Sequence, residues 1–153
     1  MFTVTLVEPQ IPQNTGNIAR LCAATDLELL IVGQPGFALS DRYLKRAGLD
    51  YWEFVRIKHE PDVDRFLTQL DMSRTYLLTT KVKRPYTAIQ PRHGDMFLFG
   101  KETAGLPETL LKANPSRCLT IPMANPKVRS LNLATSAGIV MYHMLSRFNF
   151  GQT

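Results

Sequence analysis

Side chains able to do chemistry gather in three stretches of the sequence. Asn14 and Arg20 lie in "PQNTGNIARLCAAT", Glu102 lies in "FGKETAGLP", and Ser130 and Asn132 lie in "IPMANPKVRSLNLATSAG". Together they offer carboxamides, a hydroxyl, a carboxylate and a guanidinium, beside glycines that let backbone approach a ligand closely. Several common site types are missing. His59, His93 and His143 are scattered, without the spacing of metal ligands. There is no Gly-x-Ser-x-Gly elbow and no Cys-His arrangement for a covalent nucleophile. The opening stretch has the strand, polar loop, helix order of a nucleotide site, but only Gly16 stands where a dinucleotide fingerprint needs three glycines. No Lys follows Gly16 as a P-loop would require. What remains suits binding of a nucleoside-like ligand rather than metal-assisted hydrolysis. Each residue also has a plainer reading: Glu102 as a solvated loop carboxylate, Asn14, Ser130 or Asn132 as helix caps, Arg20 as a surface cation.

The elements around these stretches alternate. Residues 2–7 (FTVTLV) are β-branched and alternating, which predicts a strand. A short helix is expected over 17–25, capped by Asn14 or Thr15, and then a buried strand over 29–32. Further helices are expected near 41–47, 63–70 and 106–112, and strands near 54–57, 76–79, 96–99 and 119–121. A long helix over 131–148 carries Leu131, Thr135, Gly138, Ile139, Tyr142 and Leu145 along one stripe, a candidate for core packing or for a dimer surface. The pattern is that of an α/β fold with a mostly parallel sheet and helices on both faces. Ligands of such sheets bind beyond the carboxyl ends of the strands, where the three chemical stretches fall.

The 153 residues fit a single domain spanning 1–153. Cys22 and Cys118 are far apart and read as buried thiols of a reducing compartment. No targeting segment and no apolar run long enough for a membrane is visible, so cytoplasm is the expected location. The net charge of +5 favours an acidic partner such as nucleic acid. Its distribution says more than its sum: Arg42, Lys45 and Arg46 share a helical face, Lys81, Lys83 and Arg84 follow a strand, and Lys127 and Arg129 lie in a loop. Three clusters at element ends point towards a phosphate-binding surface.

Taken in order, the three stretches resemble the signature motifs of the SPOUT RNA 2′-O-methyltransferases. "DRYLKRAGLDYWEF" and "LTTK" are similar to the minimal bacterial branch that methylates the wobble nucleotide of tRNA, the tRNA (cytidine/uridine-34-2′-O)-methyltransferases. The resemblance covers nearly the whole chain. Lys101 departs from it, standing where a proline is expected, and Ala134 stands where serine is common.

The resemblance implies a deep trefoil knot at the carboxyl end and a homodimer whose sites each use both chains. It implies S-adenosyl-L-methionine as cofactor, held by Leu78, Thr79, Gly100, Glu102, Ile121, Met123, Ser130 and Leu131, and no metal. Asn14, Arg20, Ser130 and Asn132 become the catalytic set, with Arg20 stabilising charge on the ribose oxygen and the others orienting the ribose and loops. The tRNA anticodon stem-loop becomes the partner. Arg42, Lys45, Arg46, Lys83 and Arg129 are then the phosphate contacts, with Tyr51 or Trp52 available to stack on an unpaired base. The alternatives are another 2′-O-methylation target, in rRNA or elsewhere in tRNA, and a binding module without activity.

Overall fold

The structure is a computed structural model and describes residues 1–39 and 52–151. Short aliphatic and β-branched runs form its strands: β1 (Thr3–Val7), β2 (Glu28–Val32), β3 (Arg56–Glu60), β4 (Thr75–Leu78), β5 (Met96–Phe99) and β6 (Cys118–Leu119). They make one sheet in the order β3-β2-β1-β5-β4-β6, and every pairing is parallel. All strands therefore end on the same edge, which brings the loops after β1, β4, β5 and β6 together.

Helices cover both faces, as the alternation predicts. Helices α1 (Pro12–Thr25) and α4 (Leu133–Arg147) pack on one side over Val4, Leu6, Phe97 and Leu119. Helices α2 (Val63–Gln69) and α3 (Glu108–Ala113) cover the other, over Val7, Val32, Leu77 and Leu98. Phe97 lies 1% exposed at the centre of the first layer, its ring 5.2 Å from Phe2 and 5.4 Å from Tyr76. Removing such a ring costs about 3–5 kcal/mol, so Phe97→Ala is expected to lower the urea midpoint sharply in chemical denaturation. Cys22 and Cys118 are both buried thiols, and burial pushes the Cys22 thiol up to about 12.

Four sequence expectations shift. Helix α1 begins at Pro12, not Asn17, because proline suits the first helical position; Asn14 and Thr15 fall inside the first turn, and no side chain of the preceding residue caps it. The strand expected over 54–57 runs instead over Arg56–Glu60, with a 3₁₀ turn at Trp52–Phe54 before it. As an edge strand it needs little apolar surface, and its polar sequence hides it. The last strand is Cys118–Leu119 alone. The final helix starts at Leu133, capped by Asn132, whose Oδ1 accepts the Thr135 amide at 3.1 Å.

Of the two readings of the stripe expected on that helix, the one as core packing fails. The buried face is Leu133, Ala137, Val140, Met141, Met144 and Leu145, against α1 and the sheet. Of the expected stripe only Leu145 is buried, while Thr135 and Tyr142 face outward. The helix is apolar on more than one side, so sequence periodicity alone does not decide which side the sheet takes. The helix expected near 41–47, with Arg42, Lys45 and Arg46, and the neighbouring Tyr51 lie outside the described residues.

Candidate active site

A cavity of about 470 Å³ opens at the carboxyl edge of the sheet. The ends of β4 and β5, the segment after β6 and the approach to α4 wall it, and the first turn of α1 closes one side. Of the residues singled out by sequence, Asn14, Leu78, Thr79, Gly100, Glu102, Ile121, Met123, Arg129, Ser130, Leu131 and Asn132 all line it. Arg20 and Lys83 do not; both are exposed, Arg20 on α1 and Lys83 on the loop after β4. Trp52 belongs to the 3₁₀ turn before β3.

One wall is a tight backbone hairpin over residues 100–106. Lys101 and Gly105 form an antiparallel bridge, with the Gly105 amide donating to the Lys101 carbonyl at 2.9 Å. A Cβ at Gly100 would stand 2.0 Å from Gly105 C and 2.1 Å from Leu106 N, so only glycine lets the two strands of the hairpin meet. Gly105 has φ +71° and nothing within 4 Å of where a Cβ would stand. Ile121, Met123, Leu131 and Leu133 add an apolar part to the lining. Apolar walls with exposed backbone amides and carbonyls suit a flat heterocycle and a ribose.

Two of the catalytic candidates, Asn14 and Asn132, are joined to Glu102 by a hydrogen-bonded chain that crosses three segments. The Glu102 carboxylate accepts the Gln10 amide at 2.9 Å, the Ile11 amide at 2.6 Å and the Asn14 Nδ2 at 3.2 Å. It thereby supplies the cap that α1 lacks locally, and its negative charge complements the helix N-terminus. Asn14 Oδ1 in turn accepts from Asn132 Nδ2 at 3.0 Å. Asn132 is at once the cap of α4 and the far end of this chain. The order of donors is set by Glu102: an ionised carboxylate only accepts, so Asn14 must turn its NH₂ towards it and its carbonyl towards Asn132. The plainer readings of Asn132 as a cap and Asn14 as a local cap thus meet different ends, since the first holds and the second does not.

Glu102→Ala would leave two backbone amides and Asn14 Nδ2 without their partner. The expected loss is about 1–3 kcal/mol of stability, visible as a lowered midpoint in thermal melting.

The residues that sequence reading missed are chiefly Gln10 and Thr103. Gln10 Oε1 accepts from Thr103 Oγ1 at 2.7 Å and from the Thr103 amide at 3.3 Å. No local pattern announces a contact between residues 93 apart. Lys81 and Lys101 also line the cavity, adding two cations beside Arg129. Among the described residues there is no group of His, Cys, Asp and Glu able to hold a metal.

Comparison with known proteins settles the lineage. The model of the SpoU rRNA methylase family matches residues 1–142. The chain belongs to that family. An Escherichia coli tRNA (cytidine(34)-2′-O)-methyltransferase is 43% identical over 143 residues, covering 93% of this chain and 90% of the relative. A Geobacillus stearothermophilus protein provisionally given the same name is 46% identical over 150 residues, 96% of this chain and 95% of the relative. Among solved structures, one described as giving insights into the 2′-OH methylation of C/U34 on tRNA superposes with a TM-score of 0.86. It shares 39% of its sequence and covers 99% of this chain and 98% of its own. No described helix is long and apolar enough to cross a membrane.

Proposed function

We infer that the protein methylates the ribose 2′-oxygen of the wobble nucleotide, cytidine or uridine 34, of tRNA, with S-adenosylmethionine as methyl donor. The observation that carries this reading is the cavity itself, a glycine hairpin and an apolar lining with the Asn14–Asn132 pair at its side, in a chain 41–46% identical to relatives named for that reaction. Leu78, Thr79, Gly100, Ile121, Met123 and Leu131 would hold the donor. When bound, S-adenosylmethionine supplies an electrophilic methyl carbon and a neutral leaving thioether.

The chain's own residues must then align the ribose and stabilise charge on its oxygen. A guanidinium keeps its proton at neutral pH, so Arg20 acts electrostatically. It holds a phosphate near the target and stabilises the negative charge that grows on the 2′-oxygen, while a phosphate oxygen or water takes the proton. Asn14 and Asn132, fixed to each other, orient the ribose, and Ser130 adds a hydroxyl at the cavity wall.

Arg20 stands outside the cavity of its own chain, which supports a homodimer in which α1 of one copy serves the site of the other. Tyr142 on the outward flank of α4 and Phe150 in the turn that follows it, both exposed and with their rings 6.2 Å apart, give a second copy apolar surface to cover. The path after β6 supports a knotted carboxyl end. Thr120 donates to the Arg84 carbonyl and accepts from the Tyr86 amide, so the chain passes between β4 and the 84–86 loop before crossing to α4. The cytoplasm, where tRNA is modified, is the fitting compartment.

Arg129, which lines the cavity, and Lys83 on the loop after β4 would contact the anticodon stem-loop, and Arg42, Lys45 and Arg46, which lie outside the described residues, are the further phosphate contacts that the sequence offers. Five such contacts predict a loss of roughly 100- to 500-fold in affinity between 50 and 200 mM salt, measured by filter binding. The test of the reaction is to incubate the protein with tRNA transcripts and isotope-labelled donor. Label on the ribose of nucleotide 34, absent when that nucleotide is 2′-deoxy, is expected; label on a base or at another position would refute the assignment.

A further inference from the structure

The contact between Gln10 and Thr103 ties the cavity's glycine hairpin to the entry of α1 from outside the catalytic set. Both residues are exposed; Thr103 lines the cavity and Gln10 does not. Yet the Gln10 amide seats Glu102 while the Gln10 side chain receives both the amide and the hydroxyl of Thr103. Residues 102 and 103 of the hairpin are therefore gripped by residues 10, 11 and 14 through five hydrogen bonds. Gln10 is itself backed by a third loop. The Gly36 amide donates to the Pro9 carbonyl at 2.9 Å, and a Cβ at Gly36 would stand 2.9 Å from Gln10 O. The loop at Gly36 thus lies close against the backbone of residues 9 and 10.

We propose that Gln10 and Thr103 are positioning residues that lock the donor hairpin to the first turn of α1, so that filling the cavity and fixing Asn14 for the RNA are one event. The proposal rests on the reading of the cavity as the donor site. Its consequence is positive coupling: donor and RNA each bind more tightly when the other is present, by the same factor. A single hydrogen bond of this kind sets the scale at about threefold to tenfold. The latch is short, it is made at the surface, and its loss leaves the core of the fold untouched.

The test measures tRNA affinity with and without saturating S-adenosylhomocysteine, for the full-length protein and for Gln10→Ala, Thr103→Val and Thr103→Ser. Hydrogen exchange at the Gln10 and Ile11 amides is followed in the same four proteins. In the parent, S-adenosylhomocysteine is expected to tighten tRNA binding by about threefold to tenfold and to slow exchange at both amides. Gln10→Ala, at a residue outside the cavity, should reduce the coupling factor to near one and remove the slowing, with melting temperature and S-adenosylhomocysteine affinity close to the parent, whereas Thr103→Val, at a lining residue that keeps its amide bond to Gln10, should reduce the coupling in part. Thr103→Ser, which keeps the hydroxyl, should restore both. The double variant should be no worse than Gln10→Ala, which already removes both hydrogen bonds between the two residues. Unchanged coupling and exchange in Gln10→Ala and Thr103→Val would overturn the latch while leaving the cavity assignment standing. Failure of S-adenosylhomocysteine to bind the parent at all would overturn the donor-site reading, and the latch with it.

Discussion

Replacing Arg20 by alanine is expected to lower kcat about 100- to 1000-fold while leaving donor affinity within about twofold. That range is the usual effect of removing one preorganised donor aimed at a developing oxyanion, about 2.7–4 kcal/mol. The split between the two parameters follows from position. Arg20 is exposed on α1 and is absent from the lining of its own chain's cavity, and the proposed role puts it at the RNA rather than at the donor. In that role it holds a phosphate of the RNA and stabilises the charge that accumulates in the transition state, so its loss is expected in kcat and not in donor binding. Calorimetric titration with S-adenosylhomocysteine and single-turnover methylation of tRNA measure the two quantities separately. Arg20→Lys should recover little, because an ammonium lacks the planar fork that engages a phosphate and a second oxygen together. A mixture of Arg20→Ala subunits with subunits carrying a ruined cavity provides a stricter check. In a mixed dimer that shares its sites, one of the two combines an intact cavity with an intact Arg20, so activity returns on mixing two inactive proteins. No recovery would place Arg20 in its own chain's site.

The second large effect belongs to Gly100. Its missing side chain is what allows the hairpin to close, since a Cβ there would stand 2.0 Å from Gly105 C, 2.1 Å from Leu106 N and 2.5 Å from Gly105 O. All three are backbone atoms, and no rotamer change relieves them. Gly100→Ala must push residues 105 and 106 outwards, which opens the cavity wall. Donor binding is expected to fall below detection in calorimetry, with a stability loss of about 1–3 kcal/mol. Gly105→Ala is the control for backbone strain without crowding. Its φ of +71° disfavours a side chain, but the space around it is open. That variant should lose about 1 kcal/mol of stability and keep measurable donor affinity. If Gly100→Ala bound the donor as well as Gly105→Ala does, the hairpin would not be the wall that matters.

Strands such as 29–32 and 96–99 were readable in the sequence because they are buried on both faces, which leaves a continuous apolar run with no alternative use. Arg56–Glu60 was not, since an edge strand is held by backbone pairing to β2 and its side chains remain polar. The start of α1 was misplaced for a related reason. Its cap is the carboxylate of Glu102, far along the chain, and local cap rules look only a few residues either way. Glycines and polar residues at strand ends marked the cavity's walls well, because close backbone approach demands those residue types. The partnership of Gln10 with Thr103 left no such mark. Both are ordinary exposed polar residues until the sheet brings the loops after β1 and β5 together.

The most direct test of the whole account is a crystal structure of the protein with S-adenosylhomocysteine and an anticodon stem-loop. The account predicts the nucleoside lodged between the 100–106 hairpin and the Ile121–Leu131 wall, with nucleotide 34 turned towards it and Arg20 of a second copy reaching its ribose or flanking phosphate. S-adenosylhomocysteine bound elsewhere, or nucleotide 34 held away from that cavity, would contradict it.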